Sequence, residues 1–252
     1  MRIRASVAVV TGVLALSALA VPAAQASGSD GDTKVTKVVV DGDNKVQIGT
    51  SAAVTVKVSV TATDNSGIKG ANSFELYGPG YGYASTGKPA CTKVNTTTST
   101  CTASVKIDPR TDYLSNKSAG TWYVDVWVDA NDGDYNWKEK AGAFSFQRAT
   151  KLTVNAAPEP VKKGKALTVT GALTRANWES LKYGAYGSQS VNLQFRKKSA
   201  TAYTTLKTVK ADAKGNLKTT TTATADGYYR FSYAGNSSSA AVSAAGDFVD
   251  VK

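Results

Sequence analysis

Along most of the chain, apolar and polar residues alternate at a period of two. Val54, Val56, Val58 and Val60 are separated by Thr55, Lys57 and Ser59. Ala103, Val105 and Ile107 alternate with Ser104 and Lys106, and Val191, Leu193 and Phe195 with Asn192 and Gln194. Such runs put one side of an extended chain against a core and the other in water, the signature of half-buried strands. Turn-forming clusters punctuate them: Asp64-Asn65-Ser66-Gly67, Gly78-Pro79-Gly80, Asp132-Gly133-Asp134, Lys214-Gly215-Asn216 and Asp226-Gly227. No stretch past residue 26 carries a 3.6-residue apolar stripe. The pattern predicts an all-β chain of packed sandwiches.

The pattern also repeats loosely. Thr33-Lys34-Val35-Thr36 returns as Thr150-Lys151-Leu152-Thr153, and each copy is followed by a glycine (Gly49, Gly164) and a Val/Thr-rich strand. Gly120-Thr121-Trp122-Tyr123 late in the first half has a counterpart in Gly227-Tyr228-Tyr229-Arg230. This spacing predicts two sandwiches, residues 27–149 and 150–252, with no long linker between them.

Residues 1–26 read differently. Arg2 and Arg4 precede an apolar run, and Ala24-Gln25-Ala26 supplies small residues for cleavage. This is the layout of a secretory signal peptide, with the mature chain beginning near Ser27. No cysteine follows the run to carry a lipid, and no later segment is apolar enough to span a bilayer. The expected location is extracellular, or loosely associated with the cell wall.

The second half resembles the immunoglobulin-like repeats of secreted actinobacterial proteins. The residues that carry this are Lys163-Gly164, Leu167-Thr168-Val169-Thr170-Gly171, Val191-x-Leu193-x-Phe195-Arg196, Asp212-Ala213-x-Gly215 and Gly227-x-Tyr229-Arg230-Phe231-x-Tyr233-x-Gly235. The first half is similar more weakly, through Thr63-Asp64-x-Ser66-Gly67-Ile68 and Gly120-x-Trp122. The resemblance implies a tandem immunoglobulin-like scaffold and specifies no activity.

Composition narrows the chemistry. The 252 residues include no histidine, which excludes imidazole-based relays and His-ligated zinc. The two cysteines, Cys91 and Cys101, flank a polar nine-residue insert without C-x-x-C spacing, and an exported chain is expected to join them as a disulfide. Catalysis would have to rest on carboxylates. Asp125 and Asp129, four apart on one strand, would stand roughly 13 Å apart, beyond the separation either glycosidase mechanism uses. The chain therefore reads as a non-enzyme that requires no cofactor.

Three sets of residues are candidates for binding. On the strand from Trp122, alternation turns Tyr123, Asp125, Trp127 and Asp129 away from the core. Tyr123 and Trp127, with Tyr81 and Tyr83 of the glycine-rich loop, suit a glycan or a secreted protein; an accessory module or an enzyme inhibitor would use such a surface. The competing reading covers Trp127 with the Tyr77–Tyr83 loop or with the second domain. Asp64, Asp129, Asp132 and Asp134 fall in two loops that an immunoglobulin-like topology brings to one end, an oxygen-rich set suited to calcium, although the spacing departs from the EF-hand. It is equally an Asx-rich turn. Finally, residues 27–149 hold 13 basic and 13 acidic side chains, whereas residues 150–252 hold 15 and 6. Lys162, Lys163, Lys165, Arg196, Lys197 and Lys198 are the candidates for an anionic cell-wall polymer, set against the reading of a solvated surface. No DNA-reading helix or aromatic–basic stacking motif points to nucleic acid.

Overall fold

The computed structural model describes residues 27–252; the signal-peptide expectation lies outside the described residues. The period-two runs become paired strands. In the first half these are β1 (Ser27–Asp30), β2 (Lys34–Val40), β3 (Lys45–Ile48), β4 (Val54–Thr63), β5 (Ile68–Ala71), β6 (Glu75–Gly78), β7 (Gly82–Ser85), β8 (Ala90–Lys93), β9 (Thr98–Ile107), β10 (Gly120–Ala130) and β11 (Tyr135–Arg148). One sheet has the order β2-β4-β9-β8, and the other runs β1-β11-β10-β6-β7, with β3 added parallel to β11 and β5 antiparallel to β10. A four-strand sheet facing one built on the last two long strands is the immunoglobulin-like arrangement. Alternate residues Val56, Val58, Val60, Trp122, Val124, Val126 and Val128 meet between the sheets and are almost wholly buried.

Cys91 and Cys101 stand directly opposite each other on β8 and β9 and are joined as a disulfide. The bond staples neighbouring strands at the sheet edge, unlike the inter-sheet bridge of antibody domains. Trp122 fills the centre of this core, its indole N–H donating to the Ser118 carbonyl at 2.7 Å. A Cβ at Gly78 or Gly82 would lie 2.2 or 2.4 Å from its ring. These glycines therefore let the β6–β7 hairpin lie flat on the tryptophan.

The second half forms β12 (Thr150–Leu152), β13 (Asn155–Ala157), β14 (Ala166–Asn177), β15 (Lys182–Ala185), β16 (Ser190–Lys197), β17 (Thr204–Lys210), β18 (Asn216–Thr222), β19 (Gly227–Tyr233), β20 (Val242–Ser243) and β21 (Asp247–Val249). Here β14 carries β12, β13, β15 and β18, and the opposing sheet runs β17-β16-β19-β20 with β21 also on β19. The repeated pieces of sequence fall on matching strands: the Thr-Lys pairs at β2 and β12, and the Gly-aromatic starts at β10 and β19. No helix among the described residues is long and apolar enough to cross a membrane.

The two sandwiches are joined by more than chain continuity. The β14–β15 hairpin carries Trp178 into the core of the first sandwich, where it is 2% exposed, 5.3 Å from the Phe146 ring, and donates its indole N–H to the Ile48 carbonyl. Beside it, Glu179 accepts from the Asn116 backbone N–H at 3.0 Å and from its amide at 2.8 Å. On the other side of the junction, the Gln147 amide donates to the Asn236 carbonyl, and the backbones of Arg148, Ser238 and Ala240 exchange hydrogen bonds. Arg148 is half-buried against the Ala176 carbonyl; burial first, and the Arg175 charge second, hold its guanidinium down to about 10.

Two outcomes follow. Trp178→Ala is expected to lower the unfolding free energy by about 3–5 kcal/mol, as for a buried aromatic, with hydrogen exchange accelerating at Val46, Ile48 and Phe146 of the other sandwich. Hydrogen bonds from the Asn116 backbone and side chain hold the Glu179 carboxyl below its ordinary value. A depressed carboxyl contributes stability that is complete above its unfolded pKa and disappears as pH falls through the folded one. Acid is therefore expected to loosen the junction, and Glu179→Gln to remove that component of the pH profile, both followed by urea unfolding between pH 7 and pH 3.

Candidate ligand-binding face

The outward side of β10 lies on an open sheet, and register decides what surrounds it. Tyr83, Tyr77 and Tyr123 are directly paired across β7, β6 and β10 and form one aromatic row. Two residues further along, Glu75 stands opposite Asp125. Two further again, Trp127 stands opposite Trp137 of β11. Rows two residues apart on one face are separated by roughly 7 Å. The face is thus tyrosine, then carboxylate, then tryptophan.

Each row is fixed by local bonds. The Trp127 ring stacks on Tyr135 at 5.1 Å and 13°, lies 6.4 Å from Trp137, and donates its indole N–H to Asp129 Oδ1 at 2.8 Å. A shift in register within the β10–β11 pairing lets the backbone N–H of Lys140 donate to Asp125 Oδ1 at 2.8 Å. Lys140 Nζ rests 5.1 Å from the centre of the Tyr123 ring. Burial first, and contact with Asp125 second, push the Tyr77 phenol above its ordinary range. Glu75, Asp125, Glu139, Trp127 and Trp137 line a shallow cleft of about 280 Å³. Like charges placed directly opposite weaken a sheet. Neither Glu75 nor Asp125 has a basic partner within 4.0 Å among the described residues.

The four aromatic candidates are therefore split. Tyr123 and Trp127 belong to this face, and Trp127 is covered neither by the Tyr77–Tyr83 loop nor by the second sandwich, its ring neighbours being Tyr135 and Trp137. Tyr83 joins through the tyrosine row, whereas Tyr81, at φ 61° on the hairpin tip, is fully exposed and apart from the cleft. Sequence reasoning missed Glu75, Tyr135, Trp137 and Glu139. The alternation in Tyr135-x-Trp137-x-Glu139 was the available signal, and strand order alone sets it beside Trp127.

The acidic loops do meet: Asn131 N donates to the Gly67 carbonyl, and Asp132 N to Ser66 Oγ at 3.2 Å. The carboxylates that converge are Asp32, Asp64 and Asp134, with an oxygen of each within 4.8 Å of the others. Asp129 is turned instead to the Trp127 indole, and Asp132 accepts from the backbone of Asp134 in its own turn. Asp32 enters from the turn between β1 and β2, a neighbour fixed by the pairing of β1 with β11. Burial works to raise the Asp64 carboxyl, but hydrogen bonds from Ser66 and Thr33 outweigh it and hold it low.

In the second sandwich the basic clusters close on one end. Val161 bridges Val251, and Lys163 N donates to the Lys252 carbonyl, so Lys162, Lys163 and Lys165 lie beside the final residues. Lys198 N donates to the Asp226 carbonyl, and Asp226 Oδ1 accepts from Val251 N, which brings Lys197 and Lys198 to the same end. Arg196 is half-buried, its guanidinium over the Tyr203 and Tyr228 rings, whereas these lysines are exposed, Lys198 with its Nζ over Phe248.

No protein-family model matches the chain. No curated protein matches it either. Among solved structures it is similar to a DUF4785 family protein from Legionella pneumophila, at 15% identity and TM-score 0.40 over 77% of this chain. The chain spans about half, 51%, of that protein. The three N-terminal domains of the bacteriophage RB49 highly immunogenic outer capsid protein match at 10% identity and TM-score 0.30, covering 87% of this chain and 70% of theirs. The D00-D0 domain of intimin matches at 13% and 0.28, covering 84% and 99%. The fold assignment stands on strand order and register.

Proposed function

We propose that the protein is a secreted, non-catalytic binding protein of the extracellular space or cell envelope, with the outer face of the first sandwich as its recognition surface. The observation that carries this is the Trp127–Trp137 pair flanked by Glu75, Asp125 and Glu139 in an open cleft. Flat aromatic rings stack on the apolar face of a pyranose, and carboxylates accept hydrogen bonds from its hydroxyls. The face is long and shallow, which suits an extended glycan better than a small enclosed ligand. The disulfide agrees with an oxidising compartment. The excess positive charge of residues 150–252 favours retention beside anionic polymers.

Titration with neutral and acidic oligosaccharides, followed by tryptophan fluorescence, tests the reading. Trp127→Ala is expected to weaken binding about tenfold or more, the loss of one stacked aromatic. Absence of any response across a glycan array removes the carbohydrate assignment, and turnover of a sugar removes the non-catalytic one.

A second reading rests on a separate observation, the convergence of Asp32, Asp64 and Asp134. Three carboxylates with an oxygen of each within 4.8 Å of the others are a ligand set for calcium, which would tie the N-terminal turn to the β10–β11 loop. Calcium is then expected to raise the melting temperature and a chelator to reverse it, with Asp134→Asn abolishing the shift. Identical calorimetric scans with calcium and with chelator exclude it.

A further inference from the structure

The outer face of β16, β17 and β19 has a feature outside the carbohydrate reading. Tyr203 lies across the sheet with its hydroxyl beside Gly246, where a Cβ would stand 2.2 Å from that oxygen. The Arg230 guanidinium carbon sits 3.8 Å from the Tyr203 ring centre and that of Arg196 5.3 Å from the same ring. Arg196 also rests on Tyr228, 4.3 Å from its centre. The two guanidiniums are therefore gathered around one tyrosine.

Their donors are only partly used. Arg230 Nε donates to Gln194 Oε1 at 2.9 Å, and Arg196 Nη1 to the Ala200 carbonyl at 2.7 Å. A guanidinium has five N–H groups, so each keeps donors for a ligand. Neither has a carboxylate within 4.0 Å among the described residues. Strands β16, β17, β19 and β20 contain no acidic residue, and Asp247 of β21 is turned to the backbone N–H of Ala156 in the opposing sheet. Arginines that serve only solubility have no need of a shared aromatic support. Two planar forks with unsatisfied donors on strands that carry no acidic residue suit an oxyanion.

We infer that the Arg196–Tyr203–Arg230 cluster is a binding site for the phosphate groups of an anionic polymer. Phosphate is favoured over carboxylate because its tetrahedral oxygens accept from two guanidiniums at once, whereas a planar carboxylate matches one fork. Lys198, its Nζ 5.5 Å from the centre of the Phe248 ring that packs on Tyr228, extends the positive charge along which a chain of phosphates would lie. The inference deepens the retention part of the proposed function and rests on it: general attraction becomes a site with defined ligating residues.

The probe is long-chain inorganic polyphosphate, with polygalacturonate as the carboxylate chain, measured by calorimetry at 50 and 200 mM salt. Polyphosphate is expected to bind more tightly than polygalacturonate and to weaken as salt rises. The double variant Arg196→Lys/Arg230→Lys keeps both charges but loses the forks, and is expected to bind about tenfold more weakly. Lys214→Gln/Lys218→Gln removes two charges from the turn after β17 and from β18 in the opposing sheet, and is expected to cost about threefold or less. Tyr203→Leu, which keeps every charge, is expected to resemble the arginine double variant; melting curves check that each variant is folded. Binding that responds to salt but not to Arg→Lys or Tyr203→Leu sinks the site and leaves retention standing. Equal affinity for polygalacturonate sinks the phosphate assignment, and no polyanion binding at low salt sinks both the site and retention.

Discussion

Trp178 belongs to the second sandwich by sequence and to the first by packing. Its ring occupies space next to Phe146 that the strands of the first half do not fill themselves, and its indole N–H satisfies a carbonyl of β3. β3 is a short strand held parallel along β11, at the point where the chain turns between the two sheets. Closing that corner with a residue from beyond residue 150 makes the core of one sandwich conditional on the other. The polar contacts around it, from Asn116 to Glu179 and from Gln147 to Asn236, are individually modest. They act together because the buried ring fixes the distance between the elements they join.

With the junction on one end, each sandwich has broad outer sheet surfaces left, and the two differ in character. The first presents aromatic rings alternating with carboxylates; the second presents arginines laid on tyrosines. Both are built on strands equivalent in order, β10 with β6 and β19 with β16, and both exploit the same geometric fact: residues two apart on a strand face the same way while their neighbours fill the core. Scaffold and recognition are therefore interleaved residue by residue. Trp122 and Trp127 sit on one strand; one is 1% exposed and holds the core, while the other is partly open to solvent.

Much of the scaffold was legible because period-two patterning is local. Val54 to Val60 and Trp122 to Val128 could be assigned to a buried face from spacing alone, and Cys91 and Cys101 could be paired because there was no alternative. What escaped was contact between distant segments. Asp32 replaces Asp129 and Asp132 beside Asp64 because β1 adds to the edge of β11, a pairing no local pattern announces. Trp137 meets Trp127 through register, and Trp178 enters the first core only because its hairpin leaves its own sandwich. The glycines at 78 and 82 pointed to a pliant contact loop, yet they are needed for close approach to Trp122.

The shared corner also bears on how such a chain can be inherited. Tandem modules are usually exchangeable because each closes its own core. Here a transplant that ended at residue 149 would carry an open seam, and one that began at residue 150 would expose a tryptophan with nowhere to go. The heritable unit is the pair, and a gene rearrangement that preserved function would have to move both halves together.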